Sequence, residues 1–456
     1  MIATSTIEKK LQRPVAISSV NPAEQVTLKR APETATHVSA RLSAGGRAFA
    51  HIKAFHPELT AFRRDLHANP ELGFEEVYTA KRVAEALKLC GVDEIHTGIG
   101  KTGVVAVIRG KTQAAHAITG AAAGGHWGMH GPRMIGLRAD MDALPMAEHN
   151  EFAWKSAKAG LMHACGHDGH TAMLVGAARY LAETRNFDGT AVLIFQPGEE
   201  GYAGARAMMQ DGLFERFPCN QVYAIHNSPE TAEGIIGITP GPMQAAVDRI
   251  EIIVTGKGGH GARPQNCIDP VLVAAHIITA AQSIAARNVA AIDQVVLSIC
   301  SVQGGNPGAM SVVPSQVTLV GTVRTYRTEI QDLVETRLRA LCESIAAGFG
   351  ASAQVVYERV YPATINTVPE AEFASNVAAS LVGEARVMRN MPPSMGGEDF
   401  SFMLQAKPGA YMRLGQGARD GCFLHNSRYD FNDEVLPLGS ALHASLVEQG
   451  MPLHVS

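Results

Sequence analysis

A chain of 456 residues has room for two or three domains, or for one large domain carrying an insertion. Its 46% hydrophobic content supplies a large core, and a formal net charge of −4 leaves no basic surface of the kind that nucleic acid requires. There is no run of eighteen apolar residues, so no membrane span is expected. Seven cysteines (Cys90, Cys165, Cys219, Cys267, Cys300, Cys342 and Cys422) are scattered without paired spacing, an odd and sparse set that points to a reducing compartment. The opening Met1-Ile2-Ala3-Thr4-Ser5 lacks the apolar core of a signal peptide, and the expected location is the cytoplasm.

In chain order, residues 1–46 are polar, carry Pro14, Pro22 and Pro32, and show little periodicity, which predicts a loosely ordered extension. Residues 58–67 place Leu59, Phe62, Arg63 and Leu66 three or four apart, a helix ended by Asn69-Pro70; a second helix, 77–89, stops at Gly91. The β-branched run 103–108 and the segment 134–140 read as buried strands. Between them, 111–132 is rich in Ala and Gly and holds His116, His126 and His130. So much glycine gives no rigid ligand cage, and a long hairpin loop is the better reading. Asp140 and Asp142 follow directly on a strand and alternate to one face, at the end where open α/β sheets place their sites.

The densest chemistry lies in His163-Ala164-Cys165-Gly166-His167-Asp168-Gly169-His170, which has a thiol, three imidazoles and a carboxylate within eight residues. A soft thiolate beside imidazoles suits zinc, manganese, cobalt or nickel. A helix over 167–184 and a strand over 190–195 follow, and the strand runs into Gln196-Pro197-Gly198-Glu199-Glu200-Gly201. Adjacent carboxylates at a strand end point in different directions, so one can bind metal while the other faces substrate. A further strand, 221–227, delivers His226 at its end. This alternation of strands and helices predicts an α/β fold with helices flanking a mainly parallel sheet.

From about Val247 the texture changes. Residues 249–254 alternate as in a half-exposed antiparallel strand, and 256–261 is a Gly-rich loop. Helices 269–287 (Asp269 as cap, Pro270 in the first turn) and 328–346 accompany strands 294–302, 316–324 and 354–358. Together they predict a small α+β sandwich over 247–358, inserted between catalytic parts 47–246 and 359–456. The last part reads as helix 371–381, a helix start at 398–403, strand 409–415, a turn bearing His425, and helix 437–450.

These ligand types exceed what one metal needs, whereas two ions roughly 3.5–4 Å apart and bridged by a water would use them all. A carboxylate beside the metals but not bound to them is then the natural general base, and Glu199 and Glu200 supply the two roles. There is no Gly-x-Ser-x-Gly nucleophile elbow and no convincing phosphate-binding loop.

The ordered series Asp140-Met141-Asp142-Ala143-Leu144-Pro145, His163 to His170, Gln196-Pro197-Gly198-Glu199-Glu200, Gly258-Gly259-His260, Gly321-Thr322-Val323-Arg324, Gly397-Glu398-Asp399-Phe400 and Leu424-His425-Asn426 resembles the aminoacylase/carboxypeptidase family of di-metal amidohydrolases. Within it the match is to the branch of hippurate hydrolases, N-acyl-amino-acid amidohydrolases and auxin-conjugate hydrolases. The resemblance implies a di-metal exopeptidase-type fold in which the insert serves as lid and dimerisation domain, two divalent metal ions per chain, and a homodimer or higher homo-oligomer. It further implies hydrolysis of the amide of a small N-acyl amino acid by metal-activated water. Cys165, His167, Glu200, His226 and His425 would be the metal ligands and Glu199 the general base and then acid. His260 would reach an active site across a dimer and stabilise the oxyanion, and Arg324 would hold the substrate carboxylate through its planar fork. Asp140, aligned where other branches carry a metal-binding His, would stand behind the ligands with Asp142, Asp168 and His170. Ser311 stands where relatives usually carry Asn before the Val/Ile-Pro pair, and is the substrate-binding candidate of the lid. Aromatic and aliphatic acyl groups both fit. The alternatives are a dipeptidase or carboxypeptidase on small peptides, for which no acidic pair is assigned to a free α-amino group, and a non-catalytic metal-binding relative, which the intact Glu199-Glu200 pair opposes.

Overall fold

The strand Met134–Asp140, apolar but for Arg138 and Asp140, lies at the middle of an eight-stranded sheet. The computed structural model describes residues 44–111, 133–418 and 421–453. The 111–132 loop with its three histidines therefore falls, from residue 112 on, outside the described residues, as does the predicted extension up to residue 43. Residues 44–46 depart from the expected extension, because they open the helix Ala44–Lys53. Its Ala48 and Ile52, with Phe55 just beyond, are buried at three- and four-residue spacing, a short apolar stripe that the polar residues around it obscure.

Across the sheet the strands run Glu94–Ile99, Gly103–Arg109, Thr190–Gln196, Met134–Asp140, Gln221–Ser228, Gly409–Gly415, Ile236–Gly237 and Val387–Met388. The four from Thr190–Gln196 to Gly409–Gly415 are mutually parallel, and antiparallel pairs flank them on both sides. Parallel strands must be buried on both faces, and they are: Thr190–Gln196 is buried at every position. One face packs on His167–Thr184, Leu436–Gly450 and the N-terminal helices, the other on the short helices Gly204–Gln210 and Ser401–Ala406. After Met134–Asp140 the chain first adds a strand on one side of it and later, with Gln221–Ser228, on the other. The carboxyl ends on either side of that reversal form the crevice where α/β sheets bind ligands.

A separate antiparallel sheet, ordered Val295–Gly304, Gln316–Thr325, Ala246–Thr255, Ser352–Tyr361, is covered by the helices Pro270–Ser283 and Thr328–Gly348. Asp269 caps the first of these, its Oδ1 accepting the Val271 amide at 2.9 Å. The span Pro270–Asn288 is, by length and composition alone, long and apolar enough to cross a membrane, although His276, Gln282 and Arg287 interrupt its apolar run. Here its Val273, Ala274, Ile277, Ala281 and Ile284 pack into the core of this sheet.

Candidate active site

The chemistry-bearing side chains leave the carboxyl ends of the parallel strands. Gly166 makes the central turn possible: at φ +95° it sits in the left-handed region, and a Cβ there would lie 2.7 Å from Asn227 Oδ1 and Tyr429 Oη. The turn swings Cys165 to one side and starts the helix His167–Thr184 on the other. The His425 loop docks on it, with the His425 amide donating to the Ala164 carbonyl at 2.8 Å. His425 itself is held at φ +60°, a cost that a loop fixed for function carries.

Five groups of metal-capable atoms result among the described residues, each with its donors within 4.8 Å of one another; two of them, Cys165, His167 and His226, and Cys165, Glu200 and His425, hold the expected ligands. Cys165 belongs to both. Its Sγ lies 3.5 Å from His226 Nε2, and His425 Nε2 lies 3.2 Å from Glu200 Oε1. The far nitrogens of His167 and His226 are fixed from behind, as metal-binding imidazoles require. His167 Nδ1 contacts Asp142 O and Oδ1 at 3.0 and 3.1 Å, and His226 Nδ1 contacts the Asn227 carbonyl at 2.7 Å. Buried His167 Nε2 has no hydrogen-bond partner, and burial, with His170 and His167 nearby, pushes the His226 imidazole well below its usual value, into the neutral form that can donate a lone pair. Burial and the Glu200 carboxylate push the Cys165 thiol well up, so a thiolate here calls for a cation. A thiol, three imidazoles and a carboxylate with an orphaned nitrogen among them fit a pair of divalent ions.

Glu199 is buried beside this set, and it also groups with His167 and Glu200. Its Oε1 faces the Asp399 amide at 3.4 Å, and its carbonyl accepts from Tyr361 Oη at 2.5 Å. Burial, then the carboxylates of Glu398, Glu200 and Asp399, push its carboxyl well above the usual range, the direction a proton acceptor needs.

Arg138 holds the floor. Fully enclosed, it donates to Gln196 Oε1 (2.8 Å), Asp140 Oδ2 (2.7 Å) and Asp399 Oδ1 (3.0 Å) and pairs with Glu398 (2.9 Å). Burial pushes the Asp399 carboxyl up to about 8, with Arg138 opposing and Glu398 adding to the rise. Arg138, Glu398 and Asp399 had no assigned role in the sequence reading. The available signal was a lone arginine inside an apolar strand, which must be paired if it is buried.

The structure sorts the remaining candidates. Asp140 Oδ1 lies 2.5 Å from His170 Nδ1, while its Oδ2, gripped by Arg138, stays 3.7 Å from His167 Nε2. His170 has both nitrogens engaged, the second by Asn227 at 2.7 Å, and so supports the site from behind. Asp168 does not orient any of the five candidate ligands as expected, because the helix turns it away from the cavity. Against the effect of burial, Arg63 (3.0 Å) and His67 (2.8 Å) hold its carboxyl well below the usual range. His163 is enclosed without a hydrogen-bond partner, and burial pushes it down to about 4. Arg324 lines the same cavity, of about 560 Å³, as Cys165, Glu199, Glu200, His226 and His425. His260 and Ser311 do not line it. His260 belongs to a small ribbon in which Gly259–His260 pairs with Val312–Val313, and Ser311 sits at its edge, its carbonyl accepting from the Gly261 amide at 2.7 Å; His260 is exposed, its Nδ1 accepting from the Ala262 amide at 3.1 Å.

Residues 136–449 match the model of peptidase family M20/M25/M40. The chain is 40% identical over 389 residues to hippurate hydrolase of Campylobacter jejuni, covering 85% of this chain and 95% of that one. It is 37% identical over 395 residues to N-acetylcysteine deacetylase of Bacillus subtilis, covering 86% and 97%. A solved dinuclear metal binding peptidase of Bacillus subtilis superposes with a TM-score of 0.72 at 34% identity, over 88% of this chain and 99% of that chain. The resemblance carried by the motifs is thus borne out along most of the sequence, and the chain belongs to peptidase family M20/M25/M40.

Proposed function

We propose that this protein is a metal-dependent amidohydrolase that cleaves the amide bond of small N-acyl amino acids. One observation carries the reading: a single cavity is lined by Cys165, His226, Glu200 and His425, members of two ligand triads that share Cys165 and of which buried His167 completes the first, together with Glu199 and Arg324. Cys165, His167, His226, Glu200 and His425 would hold two divalent ions. When bound, such a pair supplies a Lewis acid for the scissile carbonyl and lowers the pKa of the attacking water. Zinc, manganese, cobalt and nickel all suit the donors, and availability selects among them. Glu199 takes the proton of the water and passes it to the leaving amine nitrogen. Its raised proton affinity suits it to both halves of that transfer. Arg324 receives the free carboxylate of the amino acid. Its Nε is occupied by Thr322 Oγ1 at 3.1 Å, which orients the fork.

His260 and Ser311 act in this reading from the 247–358 segment as lid residues, with His260 serving the active site of a second copy in a homodimer. The exposed position of His260, outside its own chain's cavity, supports that assignment. A cytoplasmic location accords with the lack of any disulfide among the described residues. The test is a hydrolysis panel of N-benzoyl, N-acetyl, N-lauroyl and indole-acetyl amino acids with each of the four metals. Cleavage of free-acid substrates over their carboxamides is expected; hydrolysis restricted to peptides with a free α-amino group would replace the reading with a dipeptidase.

A further inference from the structure

The substrate cavity contains a second guanidinium besides that of Arg324. Arg413 lies on the strand Gly409–Gly415 in parallel register with His226, so the two side chains leave the same face of the sheet and both line the cavity. Arg413 is half-buried, and among the described residues its guanidinium makes no hydrogen bond or ion pair. The acids of the cavity lining are committed elsewhere: Glu200 faces His425, Glu398 pairs with Arg138, and Glu199 stands against the Asp399 amide. Glu230, the remaining acid of the lining, is exposed and forms no ion pair with it. Arg324 likewise has no carboxylate partner and keeps the end of its fork for a ligand.

A partly desolvated guanidinium calls for an acceptor, and its planar fork matches a carboxylate. The single carboxylate of a simple N-acyl amino acid satisfies only one of these two arginines. We propose that Arg413 is a second carboxylate-binding residue and that the preferred substrates are N-acyl amino acids carrying two carboxylates. The second carboxylate would come from the amino-acid side chain or from the acyl chain. The inference rests on the amidohydrolase reading and narrows its substrate class.

Two substrate pairs distinguish the sources: N-acetyl-L-glutamate against N-acetyl-L-glutamine, and N-succinyl-L-methionine against its succinamyl counterpart. In the metal-loaded wild type, kcat/KM should favour the dianion about 10- to 100-fold in at least one pair, the range of one charged hydrogen-bonded contact. Arg413→Met should reduce that preference to near unity through KM, and Arg413→Lys should retain part of it. Calorimetric binding of the same pairs to Glu199→Ala protein should show the same ratio without turnover. Ratios near unity for both pairs in the wild type, or a preference that survives Arg413→Met, would overturn the proposal. Should Arg413→Met fail to fold, the wild-type ratios and Arg413→Lys decide alone. Hydrolysis of N-acetyl-L-methionine without any dianion preference rejects the Arg413 assignment only. Absence of all N-acyl hydrolysis rejects the amidohydrolase reading, and the binding ratio then decides on Arg413.

Discussion

Glu76 offers a stability test that does not depend on turnover. Its carboxylate is fully buried, with Oε1 accepting the Gly198 amide at 2.8 Å and Oε2 accepting Thr102 Oγ1 at 2.5 Å. It therefore anchors the start of the Glu199-Glu200 turn. Burial pushes its carboxyl from 4.5 up to about 7; the Thr102 hydrogen bond opposes this and Asp142 adds to it. Because the folded-state value lies above the unfolded one, the associated stability is fully present below about pH 4.5 and is lost as pH rises through about 7. At roughly 1.4 kcal/mol per pH unit, the shift from 4.5 to about 7 amounts to about 3 kcal/mol. Glu76→Gln keeps both contacts, its oxygen accepting from Gly198 and its amide donating to Thr102, but has no proton to lose. Urea unfolding of metal-free protein should therefore show the variant gaining about 3 kcal/mol on the wild type between pH 4.5 and pH 8. Taking the difference cancels the other titrating groups. A wild-type-to-variant difference that is flat over this range would refute the reasoning.

Other substitutions probe the site itself. Glu199→Ala should keep the metal content of the wild type and lower kcat by about 10²- to 10⁴-fold or more, since the base acts only in the reaction; elemental analysis beside turnover checks both parts. Cys165 belongs to both triads, so Cys165→Ala should lower occupancy at both positions, whereas His226→Ala and His425→Ala should each lower one. Metal stoichiometry after dialysis reads this directly, and equal losses in all three variants would contradict a shared thiolate. Arg324→Ala should raise KM for free-acid substrates by about 10-fold or more and leave their carboxamides little changed, the effect of removing one charged contact; comparable losses on both would remove the carboxylate clamp.

Much of this architecture was legible in the sequence. Short apolar runs located the four central parallel strands and 3.6-residue periodicity the long helices, because buried strands and amphipathic helices leave strong local signals. Among the elements that the sequence pattern does not mark, Ala44–Lys53, Glu94–Ile99 and Gly204–Gln210 are short or half-exposed, and tertiary packing rather than pattern stabilises them. The candidate ligands were also legible, since thiol, imidazole and carboxylate identities are fixed by residue type and recur at strand ends.

What the sequence by itself determined was the donor set and its order along the chain. Only the tertiary structure decided which donors converge. It placed Cys165 in both triads, committed both nitrogens of His170 to Asp140 and Asn227, and turned Asp168 toward Arg63 and His67. It also disclosed the Arg138 hub, whose partners Asp140, Glu398 and Asp399 lie up to 261 residues away in the chain. Side-chain chemistry is a property of each residue and can be read one position at a time. Distance, burial and the sharing of partners arise only when segments far apart in sequence are packed against one another.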